Sequence, residues 1–320
     1  MHLPYGNIFP QTDDTYLDLV IEGVGTKVLL AQLANQYNTI GVDAVAMAVN
    51  DVIRSGATPI AISDNIHAQA SNPELVKQWL KGIAKGAIEA ECPVTSGEIG
   101  DVAEIIKGIA EGAGFDMVVA TIGQVAKEKI ITGKNIKPDD PIIGLRSSGL
   151  HSNGITLARK ILFKEWGGKH DAHAKIDGLN RELVYEALEP TKIYVKPLLK
   201  TTEEGKVKAV VHITGDAYLK FNNLTSFSPN IGFQFTNFKP QPIFRVIQET
   251  AKQLGLAISD EEMFRTFNMG WGFAVIVDKK DTDKTLSILE KTGAEPEQIG
   301  NVTGKQGIEI QYHGKKLRMA

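Results

Sequence analysis

The sequence predicts a mixed α/β protein built as two domains. Runs rich in β-formers alternate with stretches of helical spacing along the chain, and from Ala126 to Pro141 the composition changes to Lys, Asp, Asn, Gly and Pro with little apolar periodicity. At 320 residues the chain is long enough for two packed cores. The boundary is therefore placed in that block, giving one domain over residues 1–130 and a second over 138–320.

In the first half, Tyr16 to Ile21 reads as a strand that ends in a turn at Gly23. Asp43 is positioned to cap a helix over Ala44 to Arg54, with Val45, Val49 and Val52 on its buried face and Gly56 as its stop. Pro59 to Ser63 follows as a strand. Pro73 opens a helix to about Ala90, since proline is tolerated in a first helical turn. Cys92 to Thr95 and Met117 to Val125 read as strands flanking a Gly-rich loop region. In the second half, Ile142 to Arg146 is a strand and the helix after Gly154 runs to about Phe163. Phe273 to Val277 and Ile308 to Tyr312 are strands, and Thr282 to Lys291 between them is helical.

Composition narrows the function classes. Hydrophobic residues at 42% and charged residues at 23% are ordinary for a globular protein. A net charge of -3 gives no electrostatic case for nucleic acid, and the basic cluster Lys315-Lys316-Leu317-Arg318 reads as a solvated end. The single cysteine, Cys92, precludes an internal disulfide framework and reads as a small buried residue. No apolar run approaches a membrane span and the N-terminus lacks a signal-peptide pattern, so a soluble cytoplasmic protein is expected.

Five segments carry polar groups suited to chemistry. In Glu22-Gly23-Val24-Gly25-Thr26-Lys27, two glycines let backbone N–H groups approach a phosphate, Thr26 offers a hydroxyl, Lys27 a point charge, and Glu22 a carboxylate for Mg²⁺. Taken alone, the hexapeptide reads better as a strand-to-helix turn, and its spacing is not that of a P-loop. Asn50-Asp51, with Arg54 just beyond, sets a carboxylate on an apolar helix, either for a metal or to cap the next turn. Ser96-Gly97-Glu98-Ile99-Gly100-Asp101 is either part of a magnesium site or a solvated loop; Asp116 is a weaker site of that kind. In Ser147-Ser148-Gly149-Leu150-His151-Ser152-Asn153-Gly154, polar residues crowd a strand-to-helix junction more densely than an N-cap requires, which favours anion binding. His212-Ile213-Thr214-Gly215-Asp216 places a histidine before a Thr-Gly turn, for substrate contact or proton transfer. The loop Arg265 to Gly270 is a further segment of this type.

In this order the segments resemble aminoimidazole ribonucleotide synthetase, the phosphoribosylformylglycinamidine cyclo-ligase family. The matching blocks are Glu22 to Lys27, Thr39 to Asp51, Gly56 to Pro59, Ser147 to Gly154, Pro190 to Val195, His212 to Gly215 and Glu262 to Gly270. The resemblance implies two α/β domains, an ATP-binding N-terminal domain that forms a homodimer and a substrate-binding C-terminal sandwich. It also implies ATP and Mg²⁺ as cofactors and a small phosphoribosyl substrate. It implies phosphate contacts from Gly23, Gly25, Thr26 and Lys27, and metal ligation by Glu22, Asp51 and Glu98. Substrate contacts would come from Ser147, Ser148, His151, Ser152, Asn153, Thr214 and Gly215, with Lys27, Asp51 and His212 catalytic.

The sequence departs from the family pattern in several places. Glu22 stands where the family has Asp, the Ser96 to Asp101 segment matches only in part, and Gly215-Asp216-Ala217 replaces a glycine triplet. The family usually carries a longer N-terminal segment with another glycine-rich loop, which suggests a truncation or a divergent branch. The alternatives are another ATP-using relative such as thiamine-monophosphate kinase, or a non-catalytic nucleotide-binding paralogue. A selenophosphate synthetase would need a reactive N-terminal Cys, and a hydrogenase-maturation protein a C-terminal one; this sequence shows neither.

Overall fold

The computed structural model describes residues 1–319. The first part comprises β1 (His2–Leu3), β2 (Gly6–Asn7), β3 (Phe9–Pro10), β4 (Thr15–Gly23), α1 (Lys27–Ala34), α2 (Asn38–Val52), β5 (Thr58–Ala68), α3 (Pro73–Glu89), β6 (Val94–Asp101) and β7 (Phe115–Ala126). The second part continues with β8 (Pro141–Arg146), α4 (Ile155–Leu162), α5 (Leu183–Ala187), α6 (Val195–Glu204), β9 (Val207–His212), β10 (Gly232–Phe235), α7 (Pro242–Gln253) and α8 (Asp260–Thr266). It closes with β11 (Trp271–Val277), α9 (Thr282–Lys291), β12 (Pro296–Thr303), β13 (Gly307–Tyr312) and β14 (Lys315–Met319). The architecture is two α/β domains, each with its own mixed sheet. The first sheet has the strand order β3-β4-β7-β5-β6 and the second β14-β13-β10-β12-β8-β11-β9.

Period-two alternation decides which face of the first sheet is buried. Along β7, Met117, Val119, Thr121, Gly123 and Val125 are buried while Val118, Ala120 and Ile122 are less so. The inner face packs on α2, which lies over β4 and β7 and against α3. The outer face carries Leu19 and Ile21, which are 60% and 70% exposed. Helix α2 is buried along nearly its whole length, since the sheet, α3 and the second domain all contact it. Its crossing with α3 depends on Gly41, where a Cβ would lie 2.3 Å from the Ile83 backbone nitrogen. In the second domain the central strands β8 and β11 are buried on both faces, and they read as unbroken apolar runs.

Several local expectations are corrected. Helix α2 begins at Asn38, so Asp43 is an interior residue rather than its cap. The segment Ser96 to Asp101 makes up all but the first two residues of β6, an edge strand, rather than a loop. Glycines and acids lower β-propensity, but parallel pairing with Asp64 to Ala68 of β5 outweighs it. The cap of α4 is Gly154 at φ 71°, with no side-chain bond from Ser152 or Asn153. Cys92 is buried, and burial pushes its thiol up to about 11, as an inert structural residue requires. No described helix is long and apolar enough to cross a membrane.

Candidate functional site

Two polar clusters lie where the first domain meets the second, and α2 builds both. Asp43 and Asn50 are seven residues apart, hence on one face of the helix. Asp43 Oδ1 accepts hydrogen bonds from Lys27 Nζ (2.8 Å), the Thr191 backbone N–H (2.7 Å) and the Thr191 hydroxyl (2.6 Å). It also accepts from Ser152 (3.2 Å). Lys27 Nζ donates in addition to the Glu189 carbonyl at 2.6 Å. Two turns on, Asn50 donates to the Lys192 carbonyl (2.9 Å) and accepts from the Tyr194 N–H (2.8 Å). Residues 189–194 of the second domain are thereby held along one helix of the first.

The surroundings of Lys27 differ from those expected of an open phosphate ligand. Its side chain and that of Asp43 are both 0% exposed, and the ammonium is taken up by a carboxylate and a carbonyl. Such a lysine cannot reach an incoming phosphate without breaking a buried ion pair. Burial lowers its pKa, and the Asp43 carboxylate opposes that fall. The rest of the Gly-rich turn is more open. Gly23 and Gly25 are exposed, Gly25 takes φ 64°, and Thr26 bonds to Thr156 of α4 across the domain junction (2.9 Å).

The second cluster forms around Asp51 in the last turn of α2. Its Oδ1 accepts from His212 Nδ1 at 2.7 Å and its Oδ2 pairs with Arg54 Nη2 at 2.7 Å. His212 ends β9, so this bond also crosses the junction. Arg54 and His212 hold the Asp51 carboxyl well below its ordinary range despite its burial. His212 is fully buried, which lowers its pKa; with the Nδ1 proton donated to Asp51, Nε2 is left as a buried acceptor without a partner. Glu22 projects from the inner face of β4 toward the same place. Burial first, and then the Asp51 carboxylate, push its carboxyl up to about 7. A small cavity of about 90 Å³ between residues 3–8 and the Asp51–Arg54 pair borders the cluster.

The expected three-carboxylate metal set is not assembled. Glu98 lies on β6 opposite Asn65, and β6 is separated from β4 by β5 and β7, a span of roughly 14 Å at normal strand spacing. Alternation also puts Glu98 on the outer face of the sheet and Glu22 on the inner one. Both oxygens of Asp51 are already held by cationic or donor groups. Among the described residues no group of three or more His, Cys, Asp or Glu side chains is disposed to hold a metal ion. Asp116 is on the outer face of β7, also apart.

The Ser147 to Gly154 block turns mostly inward. Ser147 donates to Asn268 (3.0 Å) and Ser148 to the Pro190 carbonyl. His151, at φ 60°, is fully buried and accepts from the Ser148 N–H at 3.1 Å. Asn268 in turn donates to the Gly149 carbonyl (2.8 Å), so the Arg265 to Gly270 loop braces this turn. Asn153 differs: its buried amide nitrogen has no partner, and its oxygen lies beside Gly215. Thr214 is buried with its hydroxyl accepting from Lys220, and Gly215 is exposed next to it. The structure therefore brings Glu22, Asp51, His212, Thr214, Gly215 and Asn153 toward the junction. Ser147, Ser148, His151 and Ser152 support them from behind. The residues the motif reading did not single out are Asp43 as a junction residue, Thr191, and Lys220. A carboxylate in the middle of an apolar helix was the available signal for Asp43; Lys220 had none.

Fold and site together define a two-domain α/β protein whose charged groups converge at the junction between its sheets. Residues 7–125 match the N-terminal domain and residues 137–313 the C-terminal domain of the AIR synthase related protein family, and the chain belongs to that family. It is 41% identical over 305 residues to the phosphoribosylformylglycinamidine cyclo-ligase of Pyrococcus horikoshii, covering 95% of this chain and 84% of that protein. It is 39% identical over 307 residues to the protein of the same name from Methanocaldococcus jannaschii, covering 95% and 82%. Among solved structures it is similar to T. maritima PurL complexed with FGAR, with TM-score 0.65, 16% identity and 97% and 46% coverage. It is also similar to the hydrogenase maturation protein HypE in complex with ATP, with TM-score 0.63, 15% identity and 98% and 86% coverage. These last two likenesses concern the fold.

Proposed function

We propose that the chain is an ATP-dependent cyclo-ligase of purine biosynthesis, closing the imidazole ring of aminoimidazole ribonucleotide from formylglycinamidine ribonucleotide. The agreement with the archaeal cyclo-ligases supports the activity, and the observation that carries the site is the Asp51–His212 bond across the domain junction. In the reaction the γ-phosphoryl group of ATP passes to the formamide oxygen, releasing ADP. The substrate's own amine nitrogen attacks the activated carbon, the C–O bond breaks with loss of phosphate, and the nitrogen gives up a proton. Phosphorylation replaces a poor oxygen leaving group with a good one, so the protein's tasks are orientation and neutralisation of developing charge.

His212 Nε2 is suited to accept that proton, because Asp51 fixes the opposite ring nitrogen as a donor and stabilises the imidazolium that forms. Gly23, Gly25 and Thr26 supply the open backbone and hydroxyl for ATP phosphates. Asn153, Thr214 and Gly215 supply the substrate side. Among the described residues no three-carboxylate group is disposed to hold the magnesium expected from the resemblance. The apolar outer face around Leu19 and Ile21 supports the homodimer through the N-terminal domains.

The test is direct: purified protein is mixed with ATP, Mg²⁺ and formylglycinamidine ribonucleotide, and ADP and aminoimidazole ribonucleotide are followed. Both should form in equal amounts. Intact ATP binding with no turnover would remove the proposal.

A further inference from the structure

Resting on that reading, we infer that Lys220, rather than Lys27, is the cation that contacts the transferred phosphoryl group. The site has three cationic side chains nearby, and two are spent. Lys27 is enclosed with Asp43 and the Glu189 carbonyl. Arg54 is committed to Asp51 through its Nη2 and, through Nε, to the Asp51 carbonyl at 3.0 Å; its guanidinium also lies 5.0 Å over the Tyr5 ring.

Lys220 is in a different state. It is half-buried in the 3₁₀ stretch Ala217–Ser226, and its ammonium donates to the neutral hydroxyl of Thr214. Among the described residues it has no carboxylate within ion-pair distance, whereas Asp51, Glu22 and Asp216 act on it from further off. A partly desolvated ammonium held by one hydroxyl is unsatisfied electrostatically, and an anion entering beside His212 would satisfy it.

The backbone leading to Lys220 carries the same indication. Asp216 and Ala217 take φ values of 61° and 38°, a region where side chains are disfavoured. Strained residues of this kind persist where the surrounding structure fixes them for a purpose, and here the turn brings Lys220 back onto Thr214, two residues beyond His212.

The test uses the intact chain in two measurements. First, surface lysines are reductively methylated with and without a non-hydrolysable ATP analogue, and labelling is read by mass spectrometry. Lys220 should be labelled in the free protein and protected several-fold by the analogue, with Lys27 unlabelled in both; equal labelling of Lys220 with and without nucleotide overturns the inference. Second, Lys220→Met should lower kcat by about 100-fold with the KM for ATP changed less than about threefold, and Lys220→Arg should recover part of the loss. A Lys220→Met rate within about threefold of wild type, in a folded protein, also overturns it. If wild-type protein fails to close the ring, the cyclo-ligase reading falls on its own, while the protection experiment still decides whether Lys220 meets the phosphates.

Discussion

Lys27 and Asp43, sixteen residues apart in the chain, form an ion pair of 2.8 Å with neither side chain exposed, at the place where the two domains meet. A pair this enclosed costs much to break, because the surviving charge is left without water or partner. Lys27→Met should therefore destabilise the protein by about 3–5 kcal/mol, read from the denaturation midpoint. The double variant Lys27→Met, Asp43→Asn should recover part of that loss, since the second change removes the orphaned charge.

Asp51 holds His212 and Arg54 with separate oxygens. Asp51→Asn should lower kcat by about tenfold or more, as should His212→Phe. Because the two residues act as one unit, the double variant should be little slower than the worse single one. Multiplicative losses in steady-state assays would mean that they act separately.

The Glu22 carboxyl is held up near 7 by burial and by Asp51, above its ordinary 4.5. The fold therefore favours the protonated group. Its stabilising contribution is fully present below about 4.5 and is lost as the pH rises through about 7. Glu22→Gln, which mimics the protonated form, should flatten the dependence of the unfolding midpoint on pH across that window. A slope identical to wild type would show that another group is responsible.

Leu19 and Ile21 project from the outer face of the first sheet. Replacing both with Lys should shift the mass measured by light scattering from twice 34.8 kDa toward the single-chain value. A wild-type protein that already runs as a monomer would remove the dimer from the proposal.

Gly41 faces the α3 backbone so closely that an added Cβ meets Ile83 N, Gly82 C and the Trp79 carbonyl at 2.3–2.6 Å. Gly41→Ala should destabilise by about 1–3 kcal/mol, because backbone must move to admit it. Calorimetry that shows no change would mean the helices can separate freely.

Much of this arrangement was legible in the residues. Apolar runs and breaker residues located β4, α3, β8 and α9 closely, and Thr282–Lys291 coincides with its expected bounds. The helix expected from Ala44 begins at Asn38, where Gly41 lies against Gly82 and Ile83 of α3. For the site, motif order located Glu22, Asp51 and His212, whose meeting depends on contacts spanning up to 161 residues. The same order also pointed to Lys27, which the fold encloses with Asp43, and to Glu98, which lies on β6 opposite Asn65. Local spacing carries no information about which side of a sheet meets the other domain, nor about which lysine a buried aspartate will capture. Lys220 belongs to no matching block, and only the return of the chain after Thr214 reveals it.

The polar face of α2 has a consequence for how the chain is assembled. A fragment ending near residue 130 would retain Asp43 and Asn50 on a helix otherwise packed in apolar surroundings, but without Thr191, Lys192 and Tyr194 to answer them. Unanswered polar groups there would penalise the separate first half. Although sequence families divide the chain into two modules, its halves should ripen together, the earlier half remaining unfinished until the later one emerges and docks.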